Sequence, residues 1–178
     1  DMDYAHITTN NTNFGTQFQE IPESPCPLFS DMSSDIFSRK LNFKKFDLIY
    51  AGAQKNIGPA GATLVVIKKE ILESICRKVP SMLNYQIHFD KDSMFNTPPV
   101  FSVYACMLSL KWLEKKGGID VVESLNRKKS ELLYKEIDND DIFNGFANVD
   151  VRSLMNVTFN LYDEKNKDVF DKMLIEAG

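Results

Sequence analysis

Two short apolar segments constrain the fold of this chain more than any other feature. Residues 47–51 (Asp-Leu-Ile-Tyr-Ala) and 62–67 (Ala-Thr-Leu-Val-Val-Ile) are rich in branched and aromatic side chains. Such nearly continuous apolarity is typical of strands that are covered on both faces. Further strands are predicted at residues 4–8 and at residues 27–30, where the strand ends at Asp31. The first part of the chain is therefore expected to have an α/β fold.

Two long helices are predicted after the strands. Pro98 opens the first, because proline is favoured at the first helical position, and Thr97 is available as its cap. Gly117 and Gly118 end this helix. Its apolar face comprises Val100, Val103, Tyr104, Met107, Leu108, Trp112 and Leu113. The second helix has a predicted buried stripe of Val121, Val122, Leu125, Leu132, Leu133 and Ile137.

The remaining segments predict less regular structure and a domain boundary. Residues 81–95 lack clear periodicity and indicate a long irregular loop, whereas residues 138–149 are polar and rich in turn residues. A strand at residues 155–161 and a final helix should follow. We therefore predict a large domain over residues 1–140 and the start of a smaller α+β domain over residues 141–178. Because the chain lacks an initiator Met and its last helix is cut at the end, we expect a piece of a longer protein.

Composition excludes several classes of protein. The 43% apolar and 26% charged residues are those of an ordinary globular chain, and no apolar run approaches the ~20 residues that span a bilayer. The 21 basic and 25 acidic residues are spread along the chain, which argues against a nucleic-acid partner. Cys26, Cys76 and Cys106 are odd in number and far apart. They argue against a metal site or a disulfide framework and favour a reducing compartment.

The segment between the two apolar strands carries a lysine bracketed by glycines. Residues 50–61 read Tyr-Ala-Gly-Ala-Gln-Lys-Asn-Ile-Gly-Pro-Ala-Gly. The glycines would let the backbone turn sharply and approach a ligand. Lys55 would then be desolvated and nucleophilic, or else it is an ordinary lysine on an exposed turn between strands. The phosphate-loop pattern GxxxxGK[ST] is absent from the sequence.

Two further polar segments are candidates for a site. Asp31 ends an apolar strand and is followed by Met-Ser-Ser. It either caps the next turn or pairs with a cationic heterocycle. In Asn96-Thr97-Pro98-Pro99, Pro98 pushes Thr97 into an extended conformation, so that its hydroxyl and Asn96 face the helix opening. That opening is either an anion site or a plain helix cap.

Taken together, these motifs resemble a known family. Asp31-Met-Ser-Ser, residues 51–61 and residues 93–99 (Ser-Met-Phe-Asn-Thr-Pro-Pro) are similar, in the same order, to segments of the phosphoserine aminotransferases, which are fold-type-I, class V pyridoxal-phosphate enzymes. The resemblance implies part of a large cofactor-binding domain, with a mostly parallel sheet flanked by helices. It also implies the start of the small α+β C-terminal domain.

The resemblance assigns roles to particular residues. It implies that Lys55 is the catalytic lysine, which holds pyridoxal 5'-phosphate covalently and moves a proton at the substrate α-carbon. Asp31 would pair with the pyridine nitrogen, because a protonated ring is the electron sink of this chemistry. Thr12 would lie beside the ring oxygen, and Gln54 would bind the cofactor phosphate. No metal is implied.

The resemblance also implies the partners. The enzyme would be a cytoplasmic homodimer, in which Asn96 and Thr97 bind the cofactor phosphate of the neighbouring subunit. Its reaction would convert glutamate and 3-phosphohydroxypyruvate into phosphoserine and 2-oxoglutarate, in serine biosynthesis. Alternatives are another class V enzyme, such as a serine–glyoxylate-type aminotransferase or a cysteine desulfurase, and a non-catalytic fragment of the fold. Because the family's N-terminal part is missing, we expect these 178 residues alone not to transaminate.

Overall fold

The computed structural model describes residues 2–178. The strands are β1 (Ala5–Thr8), β2 (Asn10–Asn11), β3 (Thr16–Gln17), β4 (Leu28–Asp31), β5 (Leu48–Gly52), β6 (Thr63–Ile67), β7 (Phe143–Gly145) and β8 (Phe159–Leu161). The helices are α1 (Lys69–Glu73), α2 (Tyr85–Asp90), α3 (Val100–Lys115), α4 (Gly118–Asn139) and α5 (Lys167–Ala177). In these residues no helix has the length and apolarity needed to cross a membrane.

Contacts group the chain into two units. The first consists of the chain up to Thr9 and of Glu20–Glu123, and the second of Asn10–Gln19 and Ser124–Gly178. This division describes contacts within the present chain. The predicted domain boundary after residue 140 concerns the longer protein and stays a prediction.

The first unit is built on a four-stranded sheet with the order β1-β4-β5-β6. Strands β1, β4 and β5 are parallel, and β6 pairs antiparallel with β5 along the edge. The strands predicted from the apolar segments are confirmed to within two residues at each end. The α/β fold with a mostly parallel sheet is therefore confirmed.

One face of this sheet carries the core of the first unit. Leu28 and Ile49 point into a buried cluster that is completed by Met32, Ile36 and Ile57, which lie on the segments following the strands. The coverage of both faces that was predicted for residues 47–51 and 62–67 holds for β5, where Leu48, Ile49 and Ala51 are buried, but not for β6, where Thr63 and Val66 are exposed. The second face is more open and carries polar side chains.

The region before α3 and the start of α3 depart from prediction, each at one place. Residues 81–95 are not one irregular loop, because they contain a 3-10 turn (Ser81–Leu83) and then α2, whose first turn is capped by the Asn84 side chain accepting from the Gln86 N–H. The next helix, α3, begins at Val100 with Pro99 as its N-cap residue, so Thr97 is not the cap. The physical reason is that Pro98 itself precedes a proline and is kept out of the helical region.

The break between α3 and α4 is confirmed, but the predicted stripe of α4 is mostly wrong. Gly117 and Gly118 adopt positive φ values of 104° and 75°, which glycine tolerates and which end α3. Of the predicted buried residues in α4, only Ile137 is buried, whereas Leu125, Leu132 and Leu133 are exposed. The other buried residues of this helix are Asn126, Ser130 and Tyr134.

The second unit is held together by polar contacts as well as apolar ones. It contains the antiparallel pairs β2-β3 and β7-β8 together with α5. Ser153 is fully buried; its hydroxyl donates to the Asn10 side chain, and its carbonyl accepts from the Tyr134 hydroxyl at 3.0 Å. The strand predicted at residues 155–161 forms only at its end, as β8, and the predicted final helix is confirmed as α5.

Candidate active site

The carboxyl ends of three neighbouring parallel strands meet at one edge of the first unit's sheet. Thr9 follows β1, Asp31 is the last residue of β4, and residues 53–61 follow β5. The Thr9 N–H donates to the Asp31 carbonyl at 3.1 Å, and the Met32 N–H donates to the Tyr50 carbonyl at 2.8 Å. The edge is therefore held in register, and such edges are where ligands bind in open α/β sheets.

Asp31 is half-buried and is oriented by the residues that follow it. Its Oδ1 accepts from the Ser33 N–H at 2.8 Å, which is the turn cap that the sequence allowed. The Ser33 hydroxyl oxygen accepts from the Gly52 N–H at 3.0 Å. Ser33 therefore joins the end of β4 to the end of β5. Sequence reasoning missed this role, although the Asp-x-Ser spacing is a signal for such a turn.

A buried ion pair supports the backbone of Asp31. Asp35 is 0% exposed and lies 3.3 Å from the guanidinium of Arg39, which is 4% exposed. The Thr9 hydroxyl lies 2.5 Å from an Asp35 carboxylate oxygen and 3.3 Å from the Asp31 carbonyl. The ion pair is therefore linked through one threonine to the strand end that carries Asp31.

Lys55 lies in a compact loop whose base is closed by the backbone of Ala53. The Ala53 N–H donates to the Ala62 carbonyl at 3.0 Å, and its carbonyl accepts from Ile57 at 3.1 Å and from Gly58 at 2.8 Å. Lys55 lines a cavity of about 500 Å³. Its side chain is exposed in this chain, so the desolvation predicted for it is not observed here.

The glycines of the loop serve helix packing. A Cβ added to Gly58 would lie 2.8 Å from the Cys106 Sγ, and one added to Gly61 would lie 2.8 Å from the Ser102 hydroxyl oxygen. The Ser102 hydroxyl also donates to the Ala60 carbonyl at 2.7 Å. Gly58 and Gly61 thus admit α3 rather than a ligand, which corrects the interpretation drawn from their spacing.

Gln54 is exposed and lies back over Gly52. A Cβ at Gly52 would lie 2.6 Å from the Gln54 Oε1, so the absence of a side chain at position 52 leaves room for the Gln54 amide. Asp31, Gln54 and Lys55 are therefore carried by two neighbouring strand ends. They place a carboxylate, an amide and an amine at one edge of the sheet.

The other predicted site residues lie elsewhere in the chain. Asn96 and Thr97 are exposed in the segment before α3, where the Asn96 amide donates to the Thr97 carbonyl at 3.1 Å. Thr12 is half-buried and belongs to the second unit, between β2 and β3. Three of the six predicted site residues, Asp31, Gln54 and Lys55, therefore lie together at the sheet edge.

Comparison with known proteins identifies the family. The sequence model of the aminotransferase class-V family matches residues 1–177. Phosphoserine aminotransferase from Flavobacterium johnsoniae is 57% identical over 178 residues, which are all of this chain and 50% of that protein. The chain therefore spans about half the length of the relatives that it matches.

Two solved structures show how far the similarity extends in space. The phosphoserine aminotransferase of Bacillus circulans subsp. alkalophilus superimposes with a TM-score of 0.94 at 41% identity, over 98% of this chain and 49% of that one. The phosphoserine aminotransferase of Trichomonas vaginalis, described as bound to PLP, gives a TM-score of 0.88 at 36% identity, over 95% of this chain and 48% of that one. The sequence match and the fold agree, and the chain belongs to the class-V aminotransferase family.

Proposed function

We propose that this chain carries the catalytic lysine and the ring-binding carboxylate of a pyridoxal-phosphate-dependent phosphoserine aminotransferase. The whole enzyme would convert glutamate and 3-phosphohydroxypyruvate into phosphoserine and 2-oxoglutarate. The observation that carries the proposal is the placement of Asp31 and Lys55 at the ends of the adjacent parallel strands β4 and β5. Relatives bearing that name match the entire chain, and one of them is described as bound to PLP.

The chemistry of the side chains at the sheet edge fits this cofactor. The Lys55 amine matches an aldehyde, the half-buried Asp31 carboxylate matches a protonated ring nitrogen, and the Gln54 amide can donate to a phosphate. Gly52 supports this assignment of Gln54, because the absence of a side chain at position 52 lets the Gln54 amide lie at the same sheet edge as Asp31 and Lys55. Thr12 is proposed to lie beside the ring oxygen in the whole enzyme.

Each of these residues would have a distinct task. Pyridoxal phosphate supplies, when bound, a protonated ring that accepts the electron pair released at the substrate α-carbon. Asp31 keeps the ring nitrogen charged through its own negative charge. The Lys55 Nζ accepts the proton from the α-carbon and later returns it, as general base and then general acid. The hydrogen bond from Ser33 holds Asp31 for this task.

We further propose a cytoplasmic homodimer, in which Asn96 and Thr97 reach the neighbouring subunit's cofactor phosphate. Exposure supports this proposal, because both residues and much of the apolar surface of the adjoining helix α3 face outward in this chain. Phe101 is 76% exposed and Trp112 is 58% exposed. Contiguous exposed apolar surface of this kind is typical of protein interfaces. The widely spaced, unpaired cysteines support the reducing compartment.

The central experiment tests the covalent link to Lys55 in the full-length enzyme. Borohydride reduction followed by peptide mass spectrometry should place the pyridoxyl group on Lys55, and Lys55→Ala should lose both the label and transamination. Lys69→Ala is the matched control, because this lysine is exposed on α1 and pairs with the surface residue Glu73. It should retain the label and the activity. A label on Lys68 or Lys69 would contradict the assignment.

The substrate is tested separately from the cofactor. A coupled assay should detect glutamate-dependent formation of phosphoserine. Faster amino transfer from serine to glyoxylate would instead favour the alternative class V enzyme. The purified full-length protein should absorb at roughly 410–430 nm, where pyridoxal phosphate bound to a lysine absorbs when the protein tunes its electronics. Such a band would exclude the alternative that the fold is retained without catalysis.

A further inference from the structure

Tyr50 lies beside Asp31 on the open face of the sheet. The two residues are register partners on the parallel strands β4 and β5, so their side chains leave the same face. Asp31 is also the register partner of Thr8, and His6 lies two positions before Thr8 on β1. Because side chains alternate along a strand, His6 shares this face as well. Three neighbouring strands thus bring together an imidazole, a phenol and a carboxylate.

Tyr50 neighbours both of the other side chains, with His6 at its hydroxyl and Asp31 beside it on the adjacent strand. The His6 Nε2 lies 3.1 Å from the Tyr50 hydroxyl oxygen, and the two rings stack with centroids 5.9 Å apart and an interplanar angle of 25°. Burial raises the pKa of Tyr50, and the negative charge of Asp31 and a hydrogen bond to it raise that pKa further. The phenol therefore keeps its proton, which it can donate to the carboxylate beside it. In the tautomer that carries its proton on Nε2, His6 then donates to the Tyr50 hydroxyl oxygen.

We propose that Tyr50 is a positioning residue for the reaction, whose hydroxyl, itself oriented by His6, holds the Asp31 carboxylate against the cofactor ring nitrogen. This inference rests on the proposed role of Asp31. The Ser33 N–H holds Oδ1 from the carboxylate's own turn, and the Tyr50 hydroxyl would add a second donor from the neighbouring strand. A donor to a carboxylate stabilises its charged form. Tyr50 would thus favour the proton on the ring nitrogen rather than on Asp31.

The experiment uses the full-length enzyme loaded with pyridoxal phosphate that carries ¹⁵N in the ring. In Tyr50→Phe we expect kcat to fall about tenfold, the loss expected for one hydrogen bond to a charged group, with KM for glutamate within about twofold. The ¹⁵N resonance should move towards the unprotonated position. His6→Gln should move both quantities in the same direction by a smaller amount.

Tyr4→Phe is the matched control. This variant also loses a phenolic hydroxyl, at the residue just before β1. The Tyr4 ring stacks on Phe29 of β4 at a centroid distance of 4.7 Å. Its kcat and ¹⁵N resonance should equal those of the wild type. If Tyr50→Phe fails to fold, as judged by thermal melting, the His6→Gln variant decides the question. His6 is exposed, so its replacement leaves the core intact.

The variant Asp31→Asn separates failure of this inference from failure of the proposed function. It should remove the protonated ¹⁵N signal, and adding Tyr50→Phe to it should cost nothing further. If Asp31→Asn removes that signal while Tyr50→Phe and His6→Gln leave it unmoved, Tyr50 has no positioning role and the proposed function stands. If Asp31→Asn leaves the signal in place, the role of Asp31 is wrong and this inference falls with it.

Discussion

The ion pair between Asp35 and Arg39 is the residue-scale feature on which the candidate site depends. Both side chains are almost completely buried, and the Thr9 hydroxyl connects Asp35 to the backbone of Asp31. Removing one partner of such a pair leaves the other charge buried without compensation, which costs about 3–5 kcal/mol. In Arg39→Met we therefore expect the free energy of unfolding of the full-length protein to fall by about that amount, measured by urea denaturation.

Lys40→Met is the neighbouring control. Lys40 pairs with Asp120 at 2.5 Å, but both side chains are largely exposed, so water and salt screen their attraction. The urea midpoint of this variant should therefore stay close to that of the wild type. Equal midpoints for Arg39→Met and Lys40→Met would mean that the buried pair does not support the strand end.

At the scale of elements, the contact between the lysine loop and α3 depends on a single missing side chain. A methyl group at Gly58 would lie 2.8 Å from the Cys106 Sγ and 3.2 Å from the Cys106 backbone, closer than packed atoms approach. Gly58→Ala should therefore destabilise the protein by about 1–3 kcal/mol, as overpacking does, and displace Lys55. Thermal melting and the kcat of the full-length enzyme measure the two effects.

A second substitution separates the clash of the new methyl group with the Cys106 sulfur from its clash with the Cys106 backbone. Cys106→Ala in the Gly58→Ala background removes the sulfur but not the backbone contact, so we expect partial recovery of the melting temperature. Cys106→Ala alone is the control for the lost thiol. Full stability of Gly58→Ala by itself would contradict the close approach of α3.

The elements also show where sequence reasoning succeeds. Strands β5 and β6 were predictable because their apolar runs with β-branched residues are a local pattern. Motifs make Asp31 and Lys55 candidates for the site, and the strand order brings them to one edge, while their roles stay predictions. The prediction that the loop glycines approach a ligand is wrong because the residues of α3 that they admit, Cys106 at Gly58 and Ser102 at Gly61, are distant in sequence.

The errors in the helices have the same origin. In α4, Tyr134 is buried because its hydroxyl donates to the Ser153 carbonyl, 19 residues away, while the more apolar Leu132 and Leu133 are exposed. Periodicity says which residues share a face but not which face meets a partner. The prediction of Thr97 as the cap is wrong because Pro99 keeps Pro98 out of the helical region. The place of Tyr50 beside Asp31 follows only from the strand register.

For the whole molecule, the proposed homodimer predicts that two differently damaged subunits can complement each other. If Asn96 and Thr97 complete the neighbouring subunit's site, a subunit with Lys55→Ala still offers an intact phosphate clamp. A subunit with Asn96→Ala and Thr97→Ala still offers an intact lysine. Each homodimer is then impaired at both sites, whereas the heterodimer has one doubly damaged site and one undamaged site.

Co-expressing the two damaged full-length subunits with different tags should therefore restore activity. Random pairing gives half heterodimers with one good site in two, so about a quarter of the wild-type kcat per site should return. The control pairs Lys55→Ala with Asp31→Asn. Both substitutions damage the subunit's own site, and every dimer then lacks an undamaged site, so activity should stay at background. Recovery in neither mixture, with heterodimers demonstrated by the tags, would mean that each subunit binds its cofactor phosphate alone and that Asn96 and Thr97 act within their own chain.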